Sequence, residues 1–275
     1  MAMAVEIRRM TEEDIPGAIE CVQTGFADDP YFRWVFDSSK FSKERNASSL
    51  TNRCLWGIQN ALFYVAREVP SSSCGMPDQK EPEPDERTGL LRNASSSSPA
   101  RVVGIAMWLL PHPRSKPDSW FTYFQEWLLS FRQLLTNIRY MGHGGLLVNR
   151  YKIWKAAQAQ VQDELWTDRR GYYFCNVVAV RPEMHGKGIG RQLVDVVARR
   201  ADEEGMKCYL ESSKQVPNIQ IYERFGFKLV RDLVCDDNGE SCKVCFPSPV
   251  LLIQADRVSS CIAWSESRSF HAEEE

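Results

Sequence analysis

The sequence has little excess charge of either sign and no long uncharged apolar run. Lys and Arg number 34 and Asp and Glu 36, so the formal net charge of the 275 residues is -2. Such a chain exerts no long-range attraction on nucleic-acid phosphates or anionic lipids. The most apolar stretch, residues 120–135, contains Gln125, Glu126, Arg132 and Gln133 and falls short of the roughly 18 apolar residues that a membrane span needs. We expect no nucleic-acid and no membrane partner.

Cysteine is not arranged as in disulfide-stapled or zinc-binding proteins. The nine cysteines are odd in number and scattered over a long chain, whereas small secreted scaffolds carry closely spaced pairs. Cys242 and Cys245 form one Cys-x-x-Cys pair, but a zinc site needs a second pair or suitably spaced histidines. No metal is therefore predicted. The first nine residues lack a signal-peptide core, so a cytoplasmic location is the expectation.

The composition favours a single domain interrupted once. Hydrophobic residues make up 43% and charged residues 25%, as in ordinary globular proteins. Residues 70–100 consist largely of Pro, Ser, Glu and Asp and bury too little apolar surface to offset their ordering entropy. We interpret them as a disordered insertion inside a domain that spans 1–275, because 101–110 again has the pattern of a strand. A linker between two domains is the competing interpretation, but it leaves the first 69 residues with a thin core. Residues 257–275 are expected to form a flexible tail.

Strands and helices alternate from residue 172 onward. Strands are predicted at 173–180, 207–212, 227–235 and 249–255, with helices at 190–204 and 218–225. Upstream, the pattern predicts strands at 5–9, 61–67 and 101–110, a helix at 43–59 and a mostly helical segment at 111–166. This order is typical of an α/β or α+β fold in which helices pack on a sheet.

One glycine-rich turn carries a chemical signal. A buried strand leads into Gly186, Gly188 and Gly190, and a helix begins there. Glycines at such a junction let backbone N–H groups surround an anion, and the helix dipole adds partial positive charge. A diphosphate is the natural ligand. The Gly-x-Gly-x-Gly spacing fits neither the Rossmann fingerprint nor a P-loop, which disfavours a nucleotide-binding protein of those classes.

The residues around this turn resemble a known superfamily. Residues 178–182 and 185–190, Val-Ala-Val-Arg-Pro and His-Gly-Lys-Gly-Ile-Gly, are similar to motif A of the GCN5-related N-acetyltransferase (GNAT) superfamily, Gln/Arg-x-x-Gly-x-Gly/Ala. His185 departs from the pattern, which has Gln or Arg there. Residues 218–227, Asn-Ile-Gln-Ile-Tyr-Glu-Arg-Phe-Gly-Phe, resemble motif B. The opening 7–30 and Leu210-Glu-Ser-Ser look most like the puromycin N-acetyltransferase branch and its fungal relatives. The resemblance covers about 5–36 and 172–253.

The resemblance implies a central mixed, twisted sheet of about six to seven strands flanked by helices, and acetyl-CoA as co-substrate. In the family, motif A binds the pyrophosphate mainly through backbone N–H groups, and a strand edge pairs with the pantetheine arm. The residues that it assigns to coenzyme binding are Val178, Ala179, Val180, His185, Gly186, Lys187, Gly188, Ile189, Gly190, Arg191 and Asn218.

The catalytic candidates follow from the chemistry of acetyl transfer. Tyr222 is the predicted general acid, because a positioned phenol can protonate a departing thiolate; its alternative role is core packing. An amine must lose its proton before attack, and Glu211 is the predicted base, directly or through water. Asp28 and Asp29 either bind a cationic amine or shape the turn before Pro30.

Aromatic side chains are the candidates for an acceptor cavity. Tyr31 and Trp34 are predicted to contact the substrate, and the helical segment 118–166 to form a lid over a compact pocket. Aromatics at helical spacing are also typical of a core, so both interpretations stand. The full set of candidate wall residues is Tyr31, Phe32, Trp34, Trp108, Trp120, Phe121, Phe124 and Trp127.

These observations predict an acetyl-CoA-dependent N-acetyltransferase that acts on a small-molecule amine by direct transfer in a ternary complex. Xenobiotics, antibiotic-like amines and metabolic intermediates are the substrate classes considered. The alternatives are a protein lysine or N-terminal acetyltransferase and a non-catalytic CoA-binding regulatory module, since a fold does not fix a function. The sequence does not identify the acceptor, decide between N- and O-transfer, or fix the oligomeric state.

Overall fold

A computed structural model describes residues 3–70, 100–113, 115–117, 119–214, 216–229, 233–237, 245–246 and 251–252. The strands are β1 (Met3–Arg9), β2 (Leu62–Pro70), β3 (Val102–Leu109), β4 (Tyr173–Val180), β5 (Cys208–Leu210), β6 (Lys228–Leu229), β7 (Leu233–Val234), β8 (Cys245–Phe246) and β9 (Leu251–Leu252). The helices are α1 (Ile15–Gly25), α2 (Pro30–Val35), α3 (Lys43–Asn60), α4 (Trp120–Arg139), α5 (Val148–Leu165), α6 (Ile189–Glu203) and α7 (Asn218–Arg224).

A mixed sheet in the order β1-β2-β3-β4-β5 forms the centre of the fold. The pairs β1–β2, β2–β3 and β3–β4 are antiparallel, and β5 runs parallel to β4. The predicted fold class is confirmed, but the sheet has five strands in the described part of the chain instead of six to seven. Two-residue ladders, β6 with β9 and β7 with β8, stand where longer C-terminal strands were predicted. The predicted insertion and tail lie almost wholly outside the described residues.

Each face of the sheet has its own core, because successive strand residues point to opposite sides. On one face Ala106 and Trp108 pack under α6, whose Leu193 and Val197 are fully buried. On the other face Ile105 lies in the core with α1 and α3. Gly104 permits the close approach of α6, since a Cβ there would lie 3.0 Å from Leu193 Cδ1. Trp108 is therefore a core residue, and its assignment to an acceptor wall is wrong.

The prediction that α4 forms part of a lid over a compact pocket is wrong. Residues 118–166 are mostly helical, as α4 and α5, but the predicted wall residues on α4 are exposed to solvent. The helix packs on α3 through polar side chains instead of closing over a pocket. The exposed wall residues are Trp120, Phe121, Phe124 and Trp127.

Candidate functional site

The gap between β4 and β5 is the central feature of the site. The two strands pair only where Tyr173, Phe174 and Cys175 lie opposite residues 208–210. Beyond Cys175, β4 continues to Val180 while β5 has ended. Within the described residues, this leaves one edge of β4 without a strand partner over residues 176–180. An unpaired strand edge is a ready hydrogen-bonding surface for an extended ligand.

The register shows which backbone groups face that edge. The Arg181 N–H donates to the Val103 carbonyl at 2.9 Å, and Ala179 pairs with Ile105 on β3. Because strand residues alternate in the direction of their backbone groups, Val178 and Val180 present theirs to the open side. This is the arrangement that the pantetheine prediction requires. The Val180 carbonyl already has one contact, since His185 Nε2 lies 2.9 Å from it.

The end of β4 is held in place by an ion pair between the buried Arg181 and the exposed Glu20. Arg181 is 5% exposed, and its guanidinium forms two hydrogen bonds to the Glu20 carboxylate of α1 at 2.5 and 2.6 Å. The Arg181 Nε atom also donates to the Val102 carbonyl. This guanidinium holds the pKa of the Glu20 carboxyl below its usual range. The turn that follows therefore begins from a fixed point.

Gly186 and Gly188 adopt left-handed backbone conformations with φ of +77° and +75°, which L side chains rarely adopt. No atom lies within 4 Å of a Cβ built at either position, so the space in front of the turn is open. The Gly188 N-cap provides no side-chain hydrogen bond to α6. The turn thus fits a diphosphate, because the first N–H groups of α6 have no intrahelical partner and no side-chain cap, and there is free space beside Gly186 and Gly188.

The side chains of this turn have varied surroundings. Ile189 is 2% exposed and anchors α6 in the core, so only its backbone is available to a ligand. His185 and Lys187 are exposed, with Lys187 Nζ 3.2 Å from Met184 Sδ. Arg191 pairs with Asp195 along the helix. We call the open edge of β4 and the turn into α6 the coenzyme side of the candidate site. It is built mainly from backbone groups.

Tyr222 lies on α7, partly buried. Its ring packs against Phe225 and Phe227 at 6.0 and 6.1 Å between centroids, which agrees with the packing role. Burial raises the pKa of the Tyr222 phenol, and the nearby Asp29 carboxylate adds to the rise. The phenol therefore keeps its proton at neutral pH, as a general acid must.

Glu211 follows the last β5 residue and contacts α5. Its Oε1 atom accepts a hydrogen bond from the Tyr209 hydroxyl at 2.7 Å, and its Oε2 atom accepts one from Gln158 Nε2 at 2.7 Å. Lys155 Nζ donates to Gln158 Oε1, also at 2.7 Å. Burial raises the pKa of the Glu211 carboxyl, while hydrogen bonds from Tyr209, Gln158 and Gln162 oppose the rise. Burial also lowers the pKa of the Lys155 ammonium.

Asp28 and Asp29 already have protein partners. Asp29 is 4% exposed; its Oδ1 atom caps α2 by accepting from the Phe32 N–H at 3.2 Å, and its Oδ2 atom accepts from the Ser213 hydroxyl. Asp28 pairs with Lys214 Nζ at 2.6 Å. The structure thus gives both carboxylates the turn-shaping role, and they tie α2 to the segment after β5.

The two predicted substrate aromatics are placed differently. Trp34 is 1% exposed, and the Arg150 guanidinium lies 5.7 Å from the centroid of the Trp34 ring. Trp34 therefore anchors α2 to the core. Tyr31 is partly buried, and its ring lies 5.0 Å from that of Trp154 on α5. The Lys155 ammonium lies 5.1 Å over the same Trp154 ring. We call the group that runs from α2 to β5 the acceptor-side cluster: Tyr31, Trp154, Lys155, Gln158 and Glu211.

Sequence reasoning missed the α5 members of the site and the contacts that Ser212 and Ser213 make after β5. Gln158 and Lys155 belong to no motif, and the contact of Gln158 with Glu211 spans 53 residues of sequence. Asn218, predicted to contact the pantetheine arm, donates its side-chain N–H to Ser212 Oγ at 2.9 Å. The Leu210-Glu-Ser-Ser motif was the available signal, since Ser212 and Ser213 both make contacts that shape the site.

Among the described residues, no group of three or more His, Cys, Asp or Glu is placed to hold a metal ion. In the same part of the chain, no helix is long and apolar enough to cross a membrane. The cytoplasmic location stays a prediction.

Comparison with known proteins points to one family. Residues 151–229 match the acetyltransferase (GNAT) domain. An uncharacterised N-acetyltransferase of Schizosaccharomyces pombe is 29% identical over 130 residues, which are 45% of this chain and 54% of that protein. The chain spans about half the length of this relative and of a second one from the same yeast, of which it covers 47%.

Two solved structures that match most of this chain are more distant in sequence. A structure described as histone acetyltransferase HPA2 and related acetyltransferase from Corynebacterium glutamicum is 17% identical, with a TM-score of 0.48, covering 92% of this chain and 94% of that one. A GNAT family acetyltransferase from Brucella melitensis, solved in complex with acetyl-CoA, is 14% identical with a TM-score of 0.37, covering 86% and 90%.

Proposed function

We propose that this chain, whose residues 151–229 match the GNAT acetyltransferase domain, is an acetyl-CoA-dependent N-acetyltransferase of small-molecule amines that works by direct transfer in a ternary complex. The observation that carries the proposal is the convergence at the β4–β5 gap. An open strand edge, an uncapped helix N-terminus, a protonated phenol and a partly buried carboxylate all belong to this one region.

The coenzyme side fits an extended thioester with a diphosphate. The N–H groups from Gly186 to Gly190 would hold the diphosphate, and the backbone groups of Val178 and Val180 would pair with the pantetheine arm. Bound acetyl-CoA would supply the activated acetyl group. The hydrogen bond from His185 to the Val180 carbonyl uses one of two lone pairs, so the carbonyl retains capacity for a second donor.

Tyr222 has the properties of the acid that such a transfer needs. When an amine displaces a thiolate from an acyl group, the departing sulfur gains negative charge and a proton from Tyr222 Oη would neutralise it. Among the described residues, its hydroxyl makes no hydrogen bond. Its ring is held by Phe225 and Phe227, which fixes the direction of the phenol without consuming its proton.

Glu211 is the proposed base on the acceptor side. A carboxyl whose pKa is raised by burial is better matched to taking a proton from an ammonium near neutral pH. Both of its oxygens also accept hydrogen bonds from Tyr209 and Gln158, so it is oriented before an acceptor arrives. An oxygen has lone pairs left for a water or an amine.

The acceptor-side cluster favours a small amine over a protein segment. Gln158, which contacts Glu211, is 6% exposed, and Tyr31 and Trp154 pack against each other beside it. An amine bound at Glu211 would lie close to these side chains, which suits a compact molecule with an apolar or aromatic body. The Tyr31 and Trp154 rings offer such a body and its cation favourable contacts.

A thiol-release assay across a panel of amines tests the proposal. The panel contains arylalkylamines, aliphatic diamines, aminoglycosides, amino-nucleosides, and peptides with a free N-terminus or lysine. We expect acetyl-CoA-dependent release of one thiol per acetylated small amine, with mass spectrometry locating the acetyl group on nitrogen. Turnover of peptides alone would replace the small-molecule assignment, and acetyl-CoA binding without turnover of any amine would favour the non-catalytic module.

A further inference from the structure

Helix α4 presents its polar side to the protein. Gln125 Nε2 donates to Gln59 Oε1 of α3 at 2.8 Å, and Asn52 Nδ2 of α3 donates to Thr136 Oγ1 at 3.0 Å. Gln133 exchanges two hydrogen bonds with Ser49. Gln125 and Thr136 are buried. This is the reverse of an ordinary surface helix, whose apolar side faces the core.

The opposite side of α4 is apolar and exposed. Its large side chains follow one another at alternating steps of four and three residues, which is the a/d spacing of a helix that packs along another helix. The rings of Phe124 and Trp127 stack at 6.4 Å and those of Trp127 and Phe131 at 5.4 Å. We call this row the α4 seam: Trp120, Phe124, Trp127, Phe131, Leu134, Ile138 and, just after the helix, Met141.

The exposed area is too large for an ordinary surface. Six aromatic side chains of α4 are 42% to 92% exposed, which at 150–250 Å² for a whole aromatic side chain amounts to roughly 600–900 Å². The largest apolar patch of a typical monomer is roughly 300–600 Å². One partner in a standard protein interface buries about 800 Å². The seam, together with the adjoining Phe121 and Tyr123, therefore matches one half of a standard interface.

We propose that two copies of this chain associate through their α4 seams, helix against helix. The seam contains no charged residue, so two identical seams meet without like-charge repulsion, as a two-fold symmetric contact requires. Its aromatic and methionine content is that of an interface centre. The hydrogen bonds to α3 fix α4 with the seam outward, so the surface is formed before the partner binds.

A lipid surface is a poorer match. Helices that lie on membranes carry lysine and arginine along the polar side, next to lipid headgroups. Here the polar side is covered by α3, and α4 contains no lysine and only two arginines, Arg132 and Arg139. The four-three spacing is also a feature that packing on a helix requires and a lipid surface does not.

Sedimentation equilibrium of the full chain over a wide concentration range tests the proposal. The expected species has twice the 31.5 kDa mass of one chain. The double substitution Trp127→Glu with Phe131→Glu places charge at the centre of the seam, so the association constant should fall by at least about 100-fold. Its circular dichroism should match the wild type, because both side chains point away from α3.

The control is Val148→Glu, which adds one negative charge at an exposed apolar residue outside α4 and should leave the dimer intact. A wild type that stays monomeric, or a dimer that survives the double substitution, overturns the proposal. So does a monomer that co-sediments with phosphatidylcholine–phosphatidylserine vesicles only when the seam is intact, since the seam then binds lipid. The rate of thiol release is measured in parallel. It should be the same in the wild type and in both variants, because the seam lies outside the candidate site.

Discussion

The coenzyme side of the candidate site consists mainly of backbone groups, whereas the acceptor side consists mainly of side chains. The coenzyme side uses backbone groups of β4 and the turn into α6, with open space in front of Gly186 and Gly188. The acceptor side uses side chains from α2, α5 and the segment after β5, and its carboxylates already accept hydrogen bonds. A site made of backbone groups depends little on which residues are present, so it suits a co-substrate that does not change. A site made of side chains changes with each substitution, so it suits an acceptor that differs from one protein to another.

The largest effect is expected from a substitution on the coenzyme side that prevents acetyl-CoA binding. Gly188→Asp places a carboxylate in the open space before the α6 N-terminus, where a diphosphate would lie. We expect acetyl-CoA affinity in isothermal calorimetry to fall at least about 100-fold, since charge repulsion and lost N–H contacts act together.

Gly205→Asp is the matched control for Gly188→Asp. Gly205 also has a positive φ, +59°, and no atom within 4 Å of a Cβ, but it lies just after the other end of α6. The same strain and the same charge there should leave affinity unchanged. Equal losses in the two variants would show that the backbone, and not a phosphate site, was damaged.

The next largest effect is expected from Tyr222→Phe, which removes the proposed general acid. The affected quantity is turnover. Phenylalanine keeps the packing on Phe225 and Phe227 but has no proton to give. Turnover should fall by roughly 10²–10⁴-fold, the range for a lost general acid, while acetyl-CoA affinity changes little. Steady-state kinetics and calorimetry on one preparation separate the two quantities.

Tyr173→Phe controls for the loss of a tyrosine hydroxyl. The Tyr173 hydroxyl donates to Glu204 near the end of α6, so its removal should affect stability and leave turnover unchanged. Wild-type turnover in Tyr222→Phe, with chemistry shown to be rate-limiting, would remove the phenol from the mechanism and leave water or another group as the acid.

Glu211→Gln tests the acceptor side through pH. If the carboxylate is the base, kcat/KM of the wild type rises as pH increases through its raised pKa, and the variant loses this limb and about 10²-fold in rate. A purely structural Glu211 would give a variant with an unchanged pH profile.

The stability of Glu211→Gln gives an independent readout with a definite sign. A carboxyl whose pKa is raised by folding contributes stability at low pH, and this contribution is lost as pH rises through the raised pKa. The melting temperature of the wild type should therefore fall relative to the variant as pH rises above 4.5, the ordinary glutamate value, and through the raised pKa of Glu211, because the glutamine side chain of the variant does not ionise. The opposite trend would mean that hydrogen bonds from Tyr209, Gln158 and Gln162 hold the pKa at or below its usual value.

Local patterns predicted the strand and the helix on either side of the glycine-rich turn well. The strand 173–180 is found as β4, and the helix predicted at 190–204 is α6, one residue earlier. Strand alternation, left-handed glycines and the apolar stripe of α6 are all properties of contiguous residues, so the sequence contains them directly. The strand predicted at 207–212 is shorter, 208–210, because the Ser212 and Ser213 hydroxyls bind Lys214 and Asp29.

The acceptor side could not be predicted in the same way. The stripe of aromatics on α4 was visible in the sequence, but periodicity shows that a stripe exists and does not show what covers it. The polar residues that hold α4 to α3 are 66 to 92 positions away from their partners. Gln158 reaches Glu211 across 53 positions, and no local pattern encodes such a contact.

The smallest effect is expected from the segment between β2 and β3. Residues 71–99 lie outside the described residues, but the Glu68 N–H donates to the Arg101 carbonyl at 2.9 Å, so the two ends of the segment are adjacent. Replacing 71–99 with a six-residue Gly/Ser linker should stabilise the protein by about 1 kcal/mol through a lower loop-closure entropy. That corresponds to a rise in melting temperature of about 2–4 °C for a domain of this size.

The same replacement also sharpens the comparison of the two sides. Arg101, which the linker variant keeps, pairs with Glu183 in the turn before Gly186, so the segment begins and ends next to the coenzyme side. If the segment is an insertion without a role in the site, both acetyl-CoA affinity and kcat stay within about twofold of the wild type, a difference of about 0.4 kcal/mol. A loss of affinity at constant kcat would assign the segment to the coenzyme side, which would then depend on side chains as the acceptor side does.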